Sequence, residues 1–110
     1  MNSLFFKLFY RVEWNIAIRK IVEDNKLPLN SRKSYKIMDK YSRTWMADPF
    51  LFEHNGETFL FFEKMNMVSH LGCIAYCKIQ NDTENMFGRI HEVIREPFHL
   101  SFPNVFRYGN

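Results

Sequence analysis

A chain of 110 residues that is 46% hydrophobic and 17% aromatic is sized for one domain with a modest core. Its 15 Lys and Arg against 12 Asp and Glu, a net charge of +3, are mixed along the chain, and without a basic stripe they argue against a nucleic-acid partner. No run of residues approaches the roughly 20 apolar positions of a membrane span, and Leu4-Phe5-Phe6 is too short for a signal-peptide core, so cytoplasmic residence is the expectation.

Residues 2 to 12 place Leu4, Phe5, Leu8, Phe9 and Val12 on one helical face, which reads as an N-terminal helix or arm packed on the domain. The same face also suits contact with a membrane surface. Trp14, Ile16 and Ile18 alternate with Asn15, Ala17 and Arg19; a strand fits, and so does a helix running to Val22. Residues 24 to 35 form a polar connector broken by Pro28. The arm and connector together make a first unit, residues 1–34, and residues 35–110 a second.

The second unit has all-β texture. Strands are predicted near Asp48–His54, Glu57–Glu63, Cys73–Ile79 and Ile90–Arg95, with longer connections from Lys64 to Gly72 and from Gln80 to Arg89. Four such strands in a row make an antiparallel meander the size of one propeller blade. Cys73 and Cys77 lie four residues apart on one strand, roughly 13 Å at about 3.3 Å per residue, which is too far for a disulfide. They read as buried thiols in a reducing compartment.

Asn55-Gly56, between two alternating apolar runs, is a strong signal for a tight hairpin, because a type I′ turn needs φ > 0 at both central residues. Counting outward from His54 opposite Glu57 predicts pairs of Phe52 with Phe59, Phe50 with Phe61 and Asp48 with Glu63 on one face. On the other face the pairs are Glu53 with Thr58, Leu51 with Leu60 and Pro49 with Phe62. Two carboxylates thus meet at the open end of the ladder, where like charge raises the pKa of one of them.

Residues 47 to 56 align with residues 101 to 110 at an offset of 54: Pro49 matches Pro103, Leu51 matches Val105, Phe52 matches Phe106, and a Gly/Asn pair closes each. A further strand is therefore expected to start near Phe102. One blade and one strand cannot close a propeller, so the expected module is incomplete: a fragment of a longer protein, or a unit whose open edges pair with another chain or are covered by residues 1 to 35.

Trp45-Met46-Ala47-Asp48-Pro49-Phe50, Phe59-Leu60-Phe61-Phe62-Glu63, Gly72-Cys73-Ile74-Ala75 and Glu96-Pro97-Phe98-His99-Leu100-Ser101-Phe102-Pro103 together carry a resemblance. They resemble the first blade of the five-bladed propeller domain of glucosamine inositolphosphorylceramide transferase-type proteins and their bacterial relatives. That domain is in turn similar to glycoside hydrolase family 43 and the related furanosidases. The resemblance spans roughly residues 13 to 110, with Trp14 to Ile18 similar to the strand before the first blade. It implies that Asp48 matches the family 43 general base. The general acid and the auxiliary Asp of that family come from later blades, so no residue here takes the second carboxylate's place roughly 6.5–9.5 Å across the sugar.

Up-and-down topology independently gathers Trp45, Asp48, Glu63, the loop bearing His70, and His99 to Ser101 at one rim. In a sugar site Trp45 stacks on the ring, Asp48 accepts a proton or a hydroxyl hydrogen bond, Glu63 modulates its pKa, and His99 and Ser101 bind substrate. Each also has a plainer role: Asp48 as a cap before Pro49, Glu63 as a strand end, Trp45 as packing, His99 and Ser101 as turn residues. His54, His70, His91 and His99 lack metal-ligand spacing, and neither a phosphate loop nor a nucleophile elbow is present, so no metal and no cofactor is expected. The expected function is a carbohydrate-active propeller module, glycosyltransferase-associated or glycosidase-like and inactive alone, with a carbohydrate or glycoconjugate as partner. The alternative is a non-catalytic binding or assembly module that uses its open β edges.

Overall fold

The computed structural model describes residues 13–20, 35–39, 42–81 and 84–109. The helix or arm expected at 2–12, and all of the polar connector before Tyr35, lie outside them. The described residues are all-β with no helix, as expected. Short strands β1 (Ala17–Ile18) and β2 (Lys36–Ile37) pair antiparallel. β3 (Thr44–His54), β4 (Glu57–Asn66), β5 (Leu71–Lys78) and β6 (His91–Ile94) form an open antiparallel meander in the order β3-β4-β5-β6. Of the two alternatives for residues 14 to 22, the described part takes the extended one.

The hairpin between β3 and β4 follows from its turn residues. Asn55 and Gly56 have φ of 50° and 75°, the left-handed pair that a type I′ turn requires. The register is the predicted one from His54↔Glu57 to Phe50↔Phe61. It then changes: Ala47, not Asp48, lies opposite Glu63, and Asp48 and Pro49 together face Phe62. This is a β-bulge on an edge strand, a place that tolerates proline because the missing N–H breaks no ladder bond. Asp48 takes φ of 52° there. The direct pairing of Asp48 with Glu63 is thereby corrected by one residue; simple alternation does not foresee the extra residue that Pro49 brings.

β4 and β5 run further than expected, because Asn66 closes their connection tightly. Its Oδ1 accepts from the N–H groups of Val68 and Ser69, and its carbonyl accepts from His70 N–H. Most of the predicted Lys64 to Gly72 loop is therefore strand.

One face of the meander carries the core. Met46, Leu60, Phe62, Ala75 and Cys77 are buried together with Ile16, Met38, Ile79, Met86 and Phe87, so the residues flanking β1 and β2, with Ile79, Met86 and Phe87, cover this face. Phe62, with no exposed surface, sits at its centre. Cys73 and Cys77 are free and buried, as their spacing required, and burial pushes the Cys77 thiol up to about 11. The opposite face carries a row of half-buried rings from Phe52 through Phe61 and Tyr76, with Tyr76 stacked on His91 at 5.2 Å.

Residues 95–109 carry no strand, so the further strand expected from Phe102 is not formed within the described residues. No strand there offers it a ladder. The segment is tied back instead through Leu100 N–H to the Gly72 carbonyl at 3.0 Å and through Phe102 N–H to Asp48 Oδ2 at 3.4 Å.

Candidate functional site

The stretch from Trp14 to Ala17, β3 from Trp45 through its bulge, Glu63 of β4 and the 99–102 segment meet around one cavity of about 600 Å³. Trp14, Asn15, Trp45, Asp48, Glu63, His99, Ser101 and Phe102 contribute to its lining. All five residues singled out from the sequence (Trp45, Asp48, Glu63, His99 and Ser101) are thus brought together. His70 is not among the lining residues; it sits in the turn after Asn66 with φ of 56°.

Glu63 is the most constrained polar group of the site, since its side chain is only 5% exposed. Ala47 of β3 lies opposite it in the ladder, and Asp48, next in the bulge, has its carboxyl within hydrogen-bonding reach of Glu63. Burial first, and then this contact with Asp48, push the Glu63 carboxyl up to about 6, while nearby His99 opposes the rise. The elevated carboxyl is therefore Glu63, with Asp48 as one of the causes.

His99 is held by backbone. Its Nδ1 accepts the Gly72 N–H at 2.9 Å, so the neutral ring carries its proton on Nε2, which lies 3.1 Å from Glu63 Oε1. Glu63 Oε1 is buried, and this ring nitrogen is the polar group that faces it. Only glycine fits at position 72. A Cβ there would stand 2.6 Å from the Leu100 carbonyl oxygen, 2.8 Å from Glu63 Oε1 and 2.9 Å from His99 Cε1.

Two tryptophans stand in the apolar part of the wall, together with Ile16, Ala17, Met46, Ala47, Pro49 and Phe102. Trp45 is carried by β3, and Trp14 reaches the cavity because its carbonyl accepts Met46 N–H at 3.2 Å and Asn15 donates to the Met38 carbonyl at 2.7 Å. Trp14 remains 61% exposed. Its place, and that of Phe102, were not among the site residues read from the sequence. The signal for Trp14 is long-range, an aromatic 31 positions before Trp45 on a segment laid along the β3 edge. Phe102 was legible only as one half of the repeat.

The arrangement offers ring-stacking surfaces beside clustered hydrogen-bond acceptors. It contains no Lys or Arg among its lining residues, and the described residues hold no group of three or more His, Cys, Asp or Glu placed to bind a metal ion. No described helix is long and apolar enough to cross a membrane.

A family model described as "Glucosamine inositolphosphorylceramide transferase 1, N-terminal" matches residues 31–110. No curated protein and no solved structure matches the chain.

Proposed function

We propose, from the premise that this chain belongs to the glucosamine inositolphosphorylceramide transferase 1 N-terminal family, that its cavity binds a carbohydrate or the sugar part of a glycoconjugate. The family name makes it a glycosyltransferase-associated domain. The single observation that carries the reading is the lining itself: Trp14 and Trp45 beside Asp48, Glu63, His99 and Ser101 around one cavity. Flat aromatic faces stack on the C–H faces of sugars, and a few fixed polar groups choose among hydroxyls.

In this reading the site binds and does not cleave. Glycoside hydrolysis needs two carboxyl groups held apart across the scissile bond, about 5–5.5 Å in retaining and 6.5–9.5 Å in inverting enzymes. Asp48 and Glu63 lie within hydrogen-bonding reach of each other on one side of the cavity, and Asp48 is further occupied by Phe102 N–H. The test is a titration of the intrinsic tryptophan fluorescence with mono- and disaccharides, alongside a glycosidase assay with aryl furanosides. Saturable quenching that Trp45→Ala removes, without turnover, supports the reading. Saccharide-independent fluorescence sinks it, and turnover abolished by Asp48→Asn replaces binding with hydrolysis.

A second reading, assembly through β edges, has its own observation. β3 and β6 are both edge strands, and Val93, Ile94, Phe98, Phe102 and Phe106 are exposed along the β6 side and the segment that follows it. Sedimentation across a concentration series separates the two. A stable oligomer supports assembly, and a monomer that still binds sugar leaves only the first.

A further inference from the structure

We infer that the segment from His99 to Arg107 is an acid-released strap, pinned at both ends by histidine nitrogens that hold it only while they carry no proton. The inference does not depend on what the cavity binds.

At the near end His99 Nδ1 accepts the Gly72 N–H at 2.9 Å. At the far end the Arg107 guanidinium lies 3.2 Å from His54 Nδ1. A guanidinium has only donors, so His54 Nδ1 is the acceptor there. Both bonds therefore need a neutral ring, and a ring that gains its second proton turns an N–H toward a donor in each place.

What lies between the pins is lightly held. Leu100 N–H donates to the Gly72 carbonyl at 3.0 Å, and Phe102 N–H reaches Asp48 Oδ2 at 3.4 Å. No strand forms, and Phe102 is kept at a φ of 52°, which a bulky residue holds only where its surroundings impose it. His99, Ser101 and Phe102 line the cavity, and residues 103–106 close a second, apolar pocket of about 290 Å³ against Phe61 and Ile94. Release of the strap opens both.

The charged groups around each ring set the sense of the switch. His54 faces the Arg107 guanidinium and, across the ladder, Glu57, which is itself bonded to Lys78; Glu53 is its neighbour along the chain. His99 Nε2 faces Glu63 Oε1 at 3.1 Å, with Asp48 beside Glu63. An ionised Glu63 favours the imidazolium, but burial pushes this carboxyl up to about 6, so acidification removes that counter-charge as well. The pins are thus present at neutral pH and lost as pH falls through the range in which imidazoles take up protons.

The experiment measures backbone amide order by NMR on the isotope-labelled full chain at about pH 7.5 and about pH 5, on either side of imidazole protonation. Order parameters of residues 101–107 are expected to fall from about 0.85 to below about 0.6 in acid, while those of Leu60 and Cys77 hold. Asparagine places an acceptor oxygen where Nδ1 stands and takes up no proton, so the double variant His54→Asn, His99→Asn is expected to stay ordered at both pH values. Each single variant should keep its own end fixed and free the other, and His91→Asn, outside the strap, should behave as the parent. A parent chain equally ordered at both pH values, a core that loosens together with the strap, or a double variant that loosens in acid as the parent does overturns the inference. A double variant disordered at both pH values overturns it too, since an acceptor at those positions is then not what holds the segment.

Discussion

Asp48 and Phe102 share a φ of 52° and are joined directly, the N–H of Phe102 donating to Asp48 Oδ2 across 3.4 Å. They stand 54 positions apart, each immediately before a proline, and Asn55 and Gly109, one turn further along each copy, also have positive φ. The repeat written in the sequence is thus a repeat of backbone shape, although only the first copy has a partner strand. Left-handed φ in a bulky residue costs about 1–3 kcal/mol and persists only where surroundings impose it. For Phe102 the imposing contacts are Asp48 and the preceding attachment of Leu100 to Gly72.

Phe102→Gly tests that assignment. The side chain is 77% exposed, so little packing is lost, and glycine takes positive φ freely. The variant is expected to match the parent or gain up to about 1 kcal/mol in urea denaturation, where an exposed Phe in ordinary backbone would show no gain.

Gly72→Ala is expected to be disruptive out of proportion to one methyl group. The new Cβ meets the Leu100 carbonyl and two site residues at under 3.0 Å, so either β5 or the 99–100 segment shifts. Overpacking of this kind costs about 1–3 kcal/mol. The His99 imidazole resonances should change with it, since Gly72 N–H fixes the ring; a variant with parental stability and unchanged His99 signals contradicts the packing described.

Glu63 makes stability depend on pH in a defined window. Its folded value of about 6 lies above the ordinary 4.5, so the folded state holds this proton more tightly than the unfolded chain. The contribution is fully present below pH 4.5 and is lost as pH rises through about 6. The shift corresponds to about 2 kcal/mol for a group this buried. Denaturation midpoints of the parent minus those of Glu63→Gln should fall across that window; a flat difference contradicts the buried, Asp48-linked carboxyl.

Glu92 acts in the opposite direction. Hydrogen bonds from Arg95 and Lys64 hold its carboxyl down at about 2. Its contribution is present above the ordinary 4.5 and fades as pH falls toward 2. The pair is partly exposed and screened, so the expected effect is small and salt-sensitive. Glu92→Gln should therefore shift the acid limb of the stability curve at low ionic strength and lose that shift in high salt.

Cys77 should be inert in the native protein. With no exposed surface and a thiol pushed up to about 11, it presents almost no thiolate at neutral pH. Alkylation by iodoacetamide is expected to be slow until denaturant opens the sheet; prompt native labelling at Cys77 would contradict its place in the core.

The hairpin was legible because its determinant is local. Asn55-Gly56 sets turn geometry, and alternation from there gives five correct pairs down to Phe50↔Phe61. Legibility stopped at Pro49, because a bulge is chosen by the fit of an edge strand to its surroundings and not by period. The meeting of Trp45, Asp48, Glu63, His99 and Ser101 was legible from topology, since alternate ends of an up-and-down meander share a rim. The cradle beneath His99 was not: nothing near Gly72 announces that a ring 27 residues later will rest on its N–H. The strand expected from Phe102 failed for a related reason, since a strand sequence without a neighbour has no ladder to join.

The bulge at Asp48 and Pro49 also governs what can dock on the outer border of β3. Trp14 already occupies the stretch beside Met46, and proline presents no N–H in the middle. Only the short distal run toward His54 is left with continuous main-chain groups for an incoming polypeptide. The irregularity that aims the acid inward thus doubles as a guard, interrupting templated fibre growth along this side.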